Sequence, residues 1–203
     1  MPGHYHLWIG GVEHNDIIVT NLMYDRHNED RGILNDYDLA HLSGRERPSG
    51  FERMGTMPFM ALDLLTEEAW RGKIERRYRH DCESFTWVLL WICCRYNNGK
   101  EISNPPLGDF ITNDYTWCFG EKCAIYGTSA ANITPTDSYQ QFWTAAVSLV
   151  LLFLKQRGDR QQKTLHKMPI VEPTIDEVVQ ECRKAVEEQG TGTVVFPQPD
   201  IFP

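Results

Sequence analysis

Residues 81–96 form an unbroken apolar stretch. Phe85, Val88, Leu89 and Ile92 recur at helical spacing in it, while Trp87, Leu90 and Trp91 occupy the other faces. A helix that is apolar all round has no side to offer water, so it must lie at the centre of a folded unit with the remaining chain wrapped about it. With 203 residues, 41% hydrophobic and 24% charged, there is enough chain for one well-buried domain and a tail. The balance of 28 acidic against 20 basic side chains, a formal charge of -8, argues against a nucleic-acid binder that works by neutralising phosphates.

The other segments supply what would wrap the central helix. Residues 17–19 and 22–24 read as short strands facing residues 32–35 across the polar turn 25–31. Residues 41–54, with Gly, Pro and Ser and no apolar periodicity, read as a mobile loop, and residues 66–70 as a short helical patch. Residues 97–135, rich in Asn, Gly, Pro and Thr, read as a long irregular connection pinned by Phe110, Tyr115, Trp117, Phe119 and Tyr126. Thr136-Asp137-Ser138 is expected to cap a helix running to about residue 156 and stopped by Gly158. Thr174-Ile175-Asp176-Glu177 is a capping box for a last helix that Gly190 would stop. Residues 191–203 read as an extended tail.

The six cysteines lack the paired CxxC spacing that gathers zinc and read as reduced, structural thiols. The start, Met1-Pro2-Gly3-His4-Tyr5-His6, is not a leader, and the longest apolar runs are about half the roughly 20 residues a membrane span needs. An intracellular chain, cytoplasmic or nuclear, with no membrane partner is the expectation, and the sequon Asn132-Ile133-Thr134 is read as accidental. His4 and His6 read as surface or packing groups. Gly190-Thr191-Gly192 follows a helix and does not lead into one, so it is no phosphate loop. The basic run 71–80 is read as a solvated face, with docking of an acidic partner as the rival reading. Ser43 and Ser49, among arginines, are candidate phosphorylation sites.

Chemistry enters with His14-Asn15-Asp16-Ile17-Ile18-Val19-Thr20-Asn21 and, after the turn, Asp36-Tyr37-Asp38 between Ile33-Leu34 and Leu39-Ala40. In a kinase-type site one Asp takes or orients the proton of the attacking hydroxyl, and an Asn five positions later holds magnesium. A second Asp at a strand end holds the metal on the β- and γ-phosphates. Asp16, Asn21 and Asp36 have that order and spacing.

Downstream, Gly55-Thr56-Met57-Pro58-Phe59-Met60-Ala61-Leu62-Asp63 resembles the end of a protein-kinase activation segment, and Asp81-Cys82-Glu83-Ser84-Phe85 the start of its buried central helix. The phrasing of residues 32–40 and 78–85, with Val88-Leu89-Leu90-Trp91 following, is similar to the fungal-type protein kinase family over roughly residues 5–100. That resemblance implies a mostly helical C-terminal kinase lobe over residues 1–190. It would comprise a catalytic loop at 14–21, a metal loop at 36–38, an activation segment at 36–63, a central helix at 81–96 and a small catalytic hairpin. The glycine-rich lid and phosphate-binding Lys that normally come first have no room before Met1, so the N-terminal lobe is expected to be absent.

By the same resemblance Asp16 is the catalytic base, Asn21 and Asp36 are magnesium ligands, and His14 supports the metal loop. Thr56 belongs to the supporting frame, and Asp81, buried at the helix start, accepts backbone hydrogen bonds from the catalytic loop. Asp63 stands where kinases usually have Glu and would pair with Arg157, Arg160 or Arg183. ATP and Mg are the implied cofactors. Asn15 replaces the usual Arg that would meet an activation-loop phosphate. Ile18 stands where Ser/Thr kinases carry a Lys, and Asp38 replaces a Gly and resembles the second acid of small-molecule phosphotransferases. Three functions stay open. The first is ATP-dependent phosphorylation of protein Ser/Thr, weak or lost in this chain. The second is a non-catalytic kinase-like module that associates through the face left by the missing lobe, and the third is a small-molecule phosphotransferase.

Overall fold

The computed structural model describes residues 2–25, 27–45, 55–125 and 133–187. Helix α1, Pro2–Ile9, is followed by the two-residue strand β1, Val12–Glu13, and by a helical turn at Val19–Asn21. Strands β2, Leu22–Asp25, and β3, Asn28–Leu34, form an antiparallel hairpin in which Leu22 faces Leu34, Met23 faces Ile33 and Tyr24 faces Gly32. The hairpin was legible, but residues 17–19 are not a strand. The chain has to turn there so that Asn21 can fold back, its N–H bonding the Ile18 carbonyl at 3.2 Å. Strand β4, His41–Leu42, pairs with β1, so the expected loop is tethered at its start; Ser49 lies outside the described residues.

Helical turns at Met57–Phe59 and Leu62–Leu65 lead into α2, Glu67–Trp70, whose first turn is capped by the Thr66 hydroxyl accepting from the Ala69 N–H. Helix α3, Tyr78–Arg95, is the central one. It starts three residues earlier than the apolar pattern begins, because His80 Nδ1 accepts the Arg77 backbone N–H at 3.0 Å and extends the first turn. Trp87, Val88, Leu90 and Trp91 are buried along it against Phe59, Met60, Leu62, Leu64, Leu65, Ala146 and Val150. A tight hairpin follows, β5, Tyr96–Asn97, and β6, Lys100–Glu101. Asn98 (φ 48°) and Gly99 (φ 73°) make its turn in the left-handed region that this residue pair tolerates.

The irregular connection expected at 97–135 instead contains α4, Tyr115–Ala124. Asp114 Oδ1 accepts from the N–H groups of Thr116 and Trp117, at 2.8 and 3.1 Å, and this cap starts a helix in a stretch without apolar periodicity. Helix α5, Gln140–Leu165, begins after a turn at Asp137–Tyr139 and runs straight through Gly158. The Thr136 hydroxyl is used by the Tyr96 carbonyl and does not cap α5. A mid-helix glycine costs only about 0.5–1 kcal/mol, and here Arg157 and Arg160, flanking it, are both tied to Asp63. Helix α6, Ile175–Glu187, starts as read: Thr174 Oγ1 accepts the Glu177 N–H at 3.2 Å, and Glu177 Oε2 accepts the Thr174 N–H at 2.7 Å. Gly190 and the tail lie outside the described residues. The fold is mostly helical with short strands. No helix among the described residues is long and apolar enough to cross a membrane. All six cysteines are free thiols.

Asp63 ties this architecture together. Its carboxylate meets Arg79 at 2.6 Å, Arg160 at 3.0 Å and Arg157 at 3.2 Å, with His80 Nε2 at 3.8 Å. Two of the three candidate arginines are thus its partners, and Arg79, in the run read as a solvated face, is its closest. Arg76, Arg79 and His80 of that run are buried, whereas Arg71, Lys73 and Arg77 are exposed.

Burial works against ionisation of Asp63, but the nearby His80 N–H and the Arg160 and Arg79 charges outweigh it and hold the carboxyl far below the usual carboxylate range. Burial drops the His80 imidazole to about 4, so His80 is neutral in the fold. Asp63→Asn leaves buried guanidinium groups uncompensated and is expected to cost about 3–5 kcal/mol, read as a lowered urea midpoint. The folded chain resists protonation of His80 while the unfolded chain accepts it near 6.5. Stability from this group is complete above about 6.5 and is lost as pH falls towards about 4, by about 3 kcal/mol. His80→Gln is expected to flatten that limb of the stability curve, because Asp63 contributes its own loss only below the unfolded carboxylate range near 4.

Candidate active site

His14 fixes the relation between residues 14–21 and the segment at Asn35 through one ring. Its Nε2 donates to the Asn35 carbonyl at 2.9 Å, which places the proton on Nε2 and leaves Nδ1 to accept the Asp16 backbone N–H at 3.3 Å. The ring is buried and meets Tyr37 edge-on, with centroids 4.8 Å apart. The Asn35 N–H reaches back to the Asn21 carbonyl at 2.9 Å. Residues 14–21 and 35–37 are therefore laced into one unit.

Asp16 is half-buried. Its Oδ1 accepts from the Thr56 hydroxyl at 3.0 Å and from the Thr56 N–H at 3.2 Å. Asn21 Nδ2 donates to the Asp16 carbonyl at 3.1 Å and lies 3.5 Å from Asp16 Oδ2. Asp36 is exposed, has φ 61°, and accepts the Asp38 N–H on Oδ1 at 3.3 Å in a local Asx turn. The Asn21 amide oxygen and the Asp36 carboxylate are hard oxygen donors suited to Mg²⁺, which keeps water and phosphate ligands and needs only one or two protein groups. Among the described residues no group of three or more His, Cys, Asp or Glu could hold a metal ion.

Asn15, in the place of an Arg, is a buried junction. It sits at φ 69°, and its Nδ2 donates to the carbonyls of Glu13 and Leu39 at 3.2 and 3.1 Å. Arg76 Nη1 donates to the Asn15 Oδ1 at 2.9 Å and to the Asn15 carbonyl at 3.1 Å. The Arg76 guanidinium thus grips the 14–21 loop, a part expected of Asp81. The Asp81 carboxylate instead meets His4 Nε2 at 2.9 Å, and His4, expected to be unremarkable, is buried and stacked on Tyr78. The pairing was hidden in the sequence because it joins residues far apart in the chain.

Gly55 explains how Thr56 reaches Asp16. At φ 120° it takes a backbone shape that side chains resist. A Cβ there would lie 3.2 Å from both the Asn15 carbonyl oxygen and Met60 Cγ. Beside residues 15–17 a cavity of about 10 Å³ is lined in part by Asn15, Asp16, Thr56, Arg76 and Ser84.

Residues 1–93, a stretch that takes in Asp16, Asn21, Asp36, Thr56, Asp63 and Asp81, match the family described as fungal protein kinase. No curated protein matches the chain.

Gly55→Ala is expected to cost about 1–3 kcal/mol in urea unfolding through backbone strain. It should also detach Thr56 from Asp16, seen as loss of the downfield hydrogen-bonded Thr56 amide resonance in a proton–nitrogen NMR spectrum.

Proposed function

We propose that the matched segment carries a protein-kinase-type phosphoryl-transfer half-site acting on the hydroxyl of a protein Ser or Thr, with Mg–ATP as phosphoryl donor. The observation that supports it best is the Asp16 carboxylate, braced on one oxygen by Thr56 from the downstream segment and approached on the other by the Asn21 amide. A carboxylate oriented in this way suits a general base that draws the proton from an attacking hydroxyl. Asn21 and Asp36 would hold magnesium, which when bound screens the charge that develops on the phosphates. His14 keeps the Asp16 backbone and the Asn35 carbonyl at a fixed separation, so base and metal-holding residues stay in register. Ile18 brings no charge, and the first lysine in the sequence is Lys73. Transfer by residues 14–63 alone is therefore weak, since kinase catalysis rests on charge stabilisation of the triphosphate.

A second reading has its own support. Met23 (54%) and Ile33 (41%) are exposed and directly paired on one face of the β2–β3 hairpin. An apolar patch on a hairpin suits a kinase-like module that binds another protein surface without catalysis. Small-molecule phosphotransfer ranks third, because residues 55–63 form a braced segment that such enzymes do not require.

Mg–ATP at about 100-fold over Kd is expected to stabilise the folded chain by roughly 2.7 kcal/mol. The thermal shift should vanish in Asp36→Ala and persist in Asp16→Asn, while Asp16→Asn lowers transfer to a Ser/Thr peptide by about 10²-fold or more. Absence of any shift in a cooperatively unfolding chain overturns the catalytic reading and leaves the binding module, for which Met23→Lys should abolish dye binding to the hairpin.

A further inference from the structure

We infer that Lys122 is a positioning residue: by holding the Met57 and Met60 carbonyls it keeps the Gly55–Met60 turn, and with it Thr56, against the Asp16 carboxylate. Its role in catalysis rests on the phosphoryl-transfer reading; the mechanical role does not.

Lys122 on α4 is 0% exposed, the most completely buried charged residue among those described. Its Nζ donates to the Met60 carbonyl at 2.5 Å and the Met57 carbonyl at 3.3 Å, over the rings of Trp87 (4.6 Å) and Phe110 (5.7 Å). The facing groups are Glu83 and Trp87 from α3, Phe110 from the 108–110 turn, and Cys118 and Cys123 on its own helix. Glu83 is the one carboxylate among them. Its Oε1 is occupied by the Leu62 N–H at 2.8 Å and the Trp87 indole N–H at 3.2 Å. The lysine charge is thus directed at two backbone dipoles of a single turn.

Burying an ammonium group is costly, and an apolar side chain of similar length fills the same space without that cost. Packing does not require a charge at this position. The turn it holds is the one that presents Thr56. The Thr56 carbonyl accepts the N–H groups of Phe59 at 2.9 Å and Met60 at 3.2 Å, while the Thr56 N–H and hydroxyl reach Asp16. Fixing the carbonyls of residues 57 and 60 therefore fixes the direction in which residue 56 points.

Burial lowers the Lys122 ammonium to about 8, within reach of ordinary buffers. The sign of its effect on stability is opposite to its effect on the turn. The desolvation cost is fully present below about 8 and is relieved as pH rises from there towards the unfolded value near 10.5. Over the same range the ion–dipole hold on the turn weakens. A residue that serves only global stability cannot loosen the turn while the fold is gaining stability.

The test is amide hydrogen exchange, corrected for intrinsic rates, at Thr56, Phe59 and Met60, with Val88 and Leu90 of α3 as reference. In Lys122→Met, protection of the three turn amides is expected to fall about tenfold or more with the α3 amides held within about threefold. In the unmodified chain the same amides should loosen several-fold as pH passes about 8, while the reference amides do not. Turn protection that stays unchanged, or that falls in step with α3, overturns the inference. If Lys122→Met does not fold, the pH titration of the unmodified chain decides. With a peptide substrate the variant should lower kcat and leave the KM for ATP in place. Failure of Mg–ATP to stabilise the chain removes the catalytic consequence without touching the exchange result, so the two readings fall separately.

Discussion

One carboxylate carries the weight of this architecture. Asp63 draws in Arg79 from α3 and Arg157 and Arg160 from α5, and Arg79 also meets Glu172 just before α6 at 3.0 Å. Two helices thus converge on a charge of the 55–65 segment whose side chain is 15% exposed. In such a setting a charge is tolerated only when paired, and pairing by three guanidinium groups leaves an excess of positive charge that Glu172 relieves. Residues 55–62 can form close turns over α3 because their C-terminal end is anchored at Asp63.

The remaining buried charged side chains share a pattern: several hold backbone groups. Arg76 takes the Asn15 carbonyl, Lys122 takes the carbonyls of Met57 and Met60, and Glu83 takes the Leu62 N–H. The segment from 55 to 62 contains turns and no paired strand, so its backbone groups lack the regular partners of helix or sheet. Buried main-chain donors and acceptors have to be met somehow, and long charged side chains from α3 and α4 meet several of them. Loop conformation at the candidate site is in this sense specified by the interior of the helical layer.

What the sequence made legible follows from the range over which each signal acts. The α6 capping box, the β2–β3 hairpin and the all-round apolar α3 depend on neighbours within a few residues, and all three are present. The spacing of Asp16, Asn21 and Asp36 is likewise local along the chain, and hydrogen bonds lace residues 14–21 to residue 35. Helix α4 was missed because its start depends on one aspartate cap in an otherwise aperiodic stretch, and the stop assigned to Gly158 failed because tertiary ion pairs on both sides of the glycine override its weak propensity. Arg76 was misjudged for a related reason. A basic run looks solvated until the partner, 61 residues away for Arg76, is known.

The tautomer of His14 shows how little slack the candidate site has. A ring that donates from Nε2 and accepts at Nδ1 satisfies both neighbours in one protonation state only; the charged ring would have two donors, and the Asp16 N–H would then face a donor. The same ring therefore fixes the backbone direction at Asp16 and, through the Asn35 carbonyl, at the entry to Asp36. Thr56 then sets the Asp16 side chain from the opposite side. Backbone orientation is set from beneath by an imidazole and side-chain orientation from the downstream segment, so the two restraints on Asp16 are independent. Loss of either one leaves a carboxylate at the same place in the chain but with a different direction. For proton transfer, direction within about 10–20° is what separates a positioned base from an aspartate that is merely nearby.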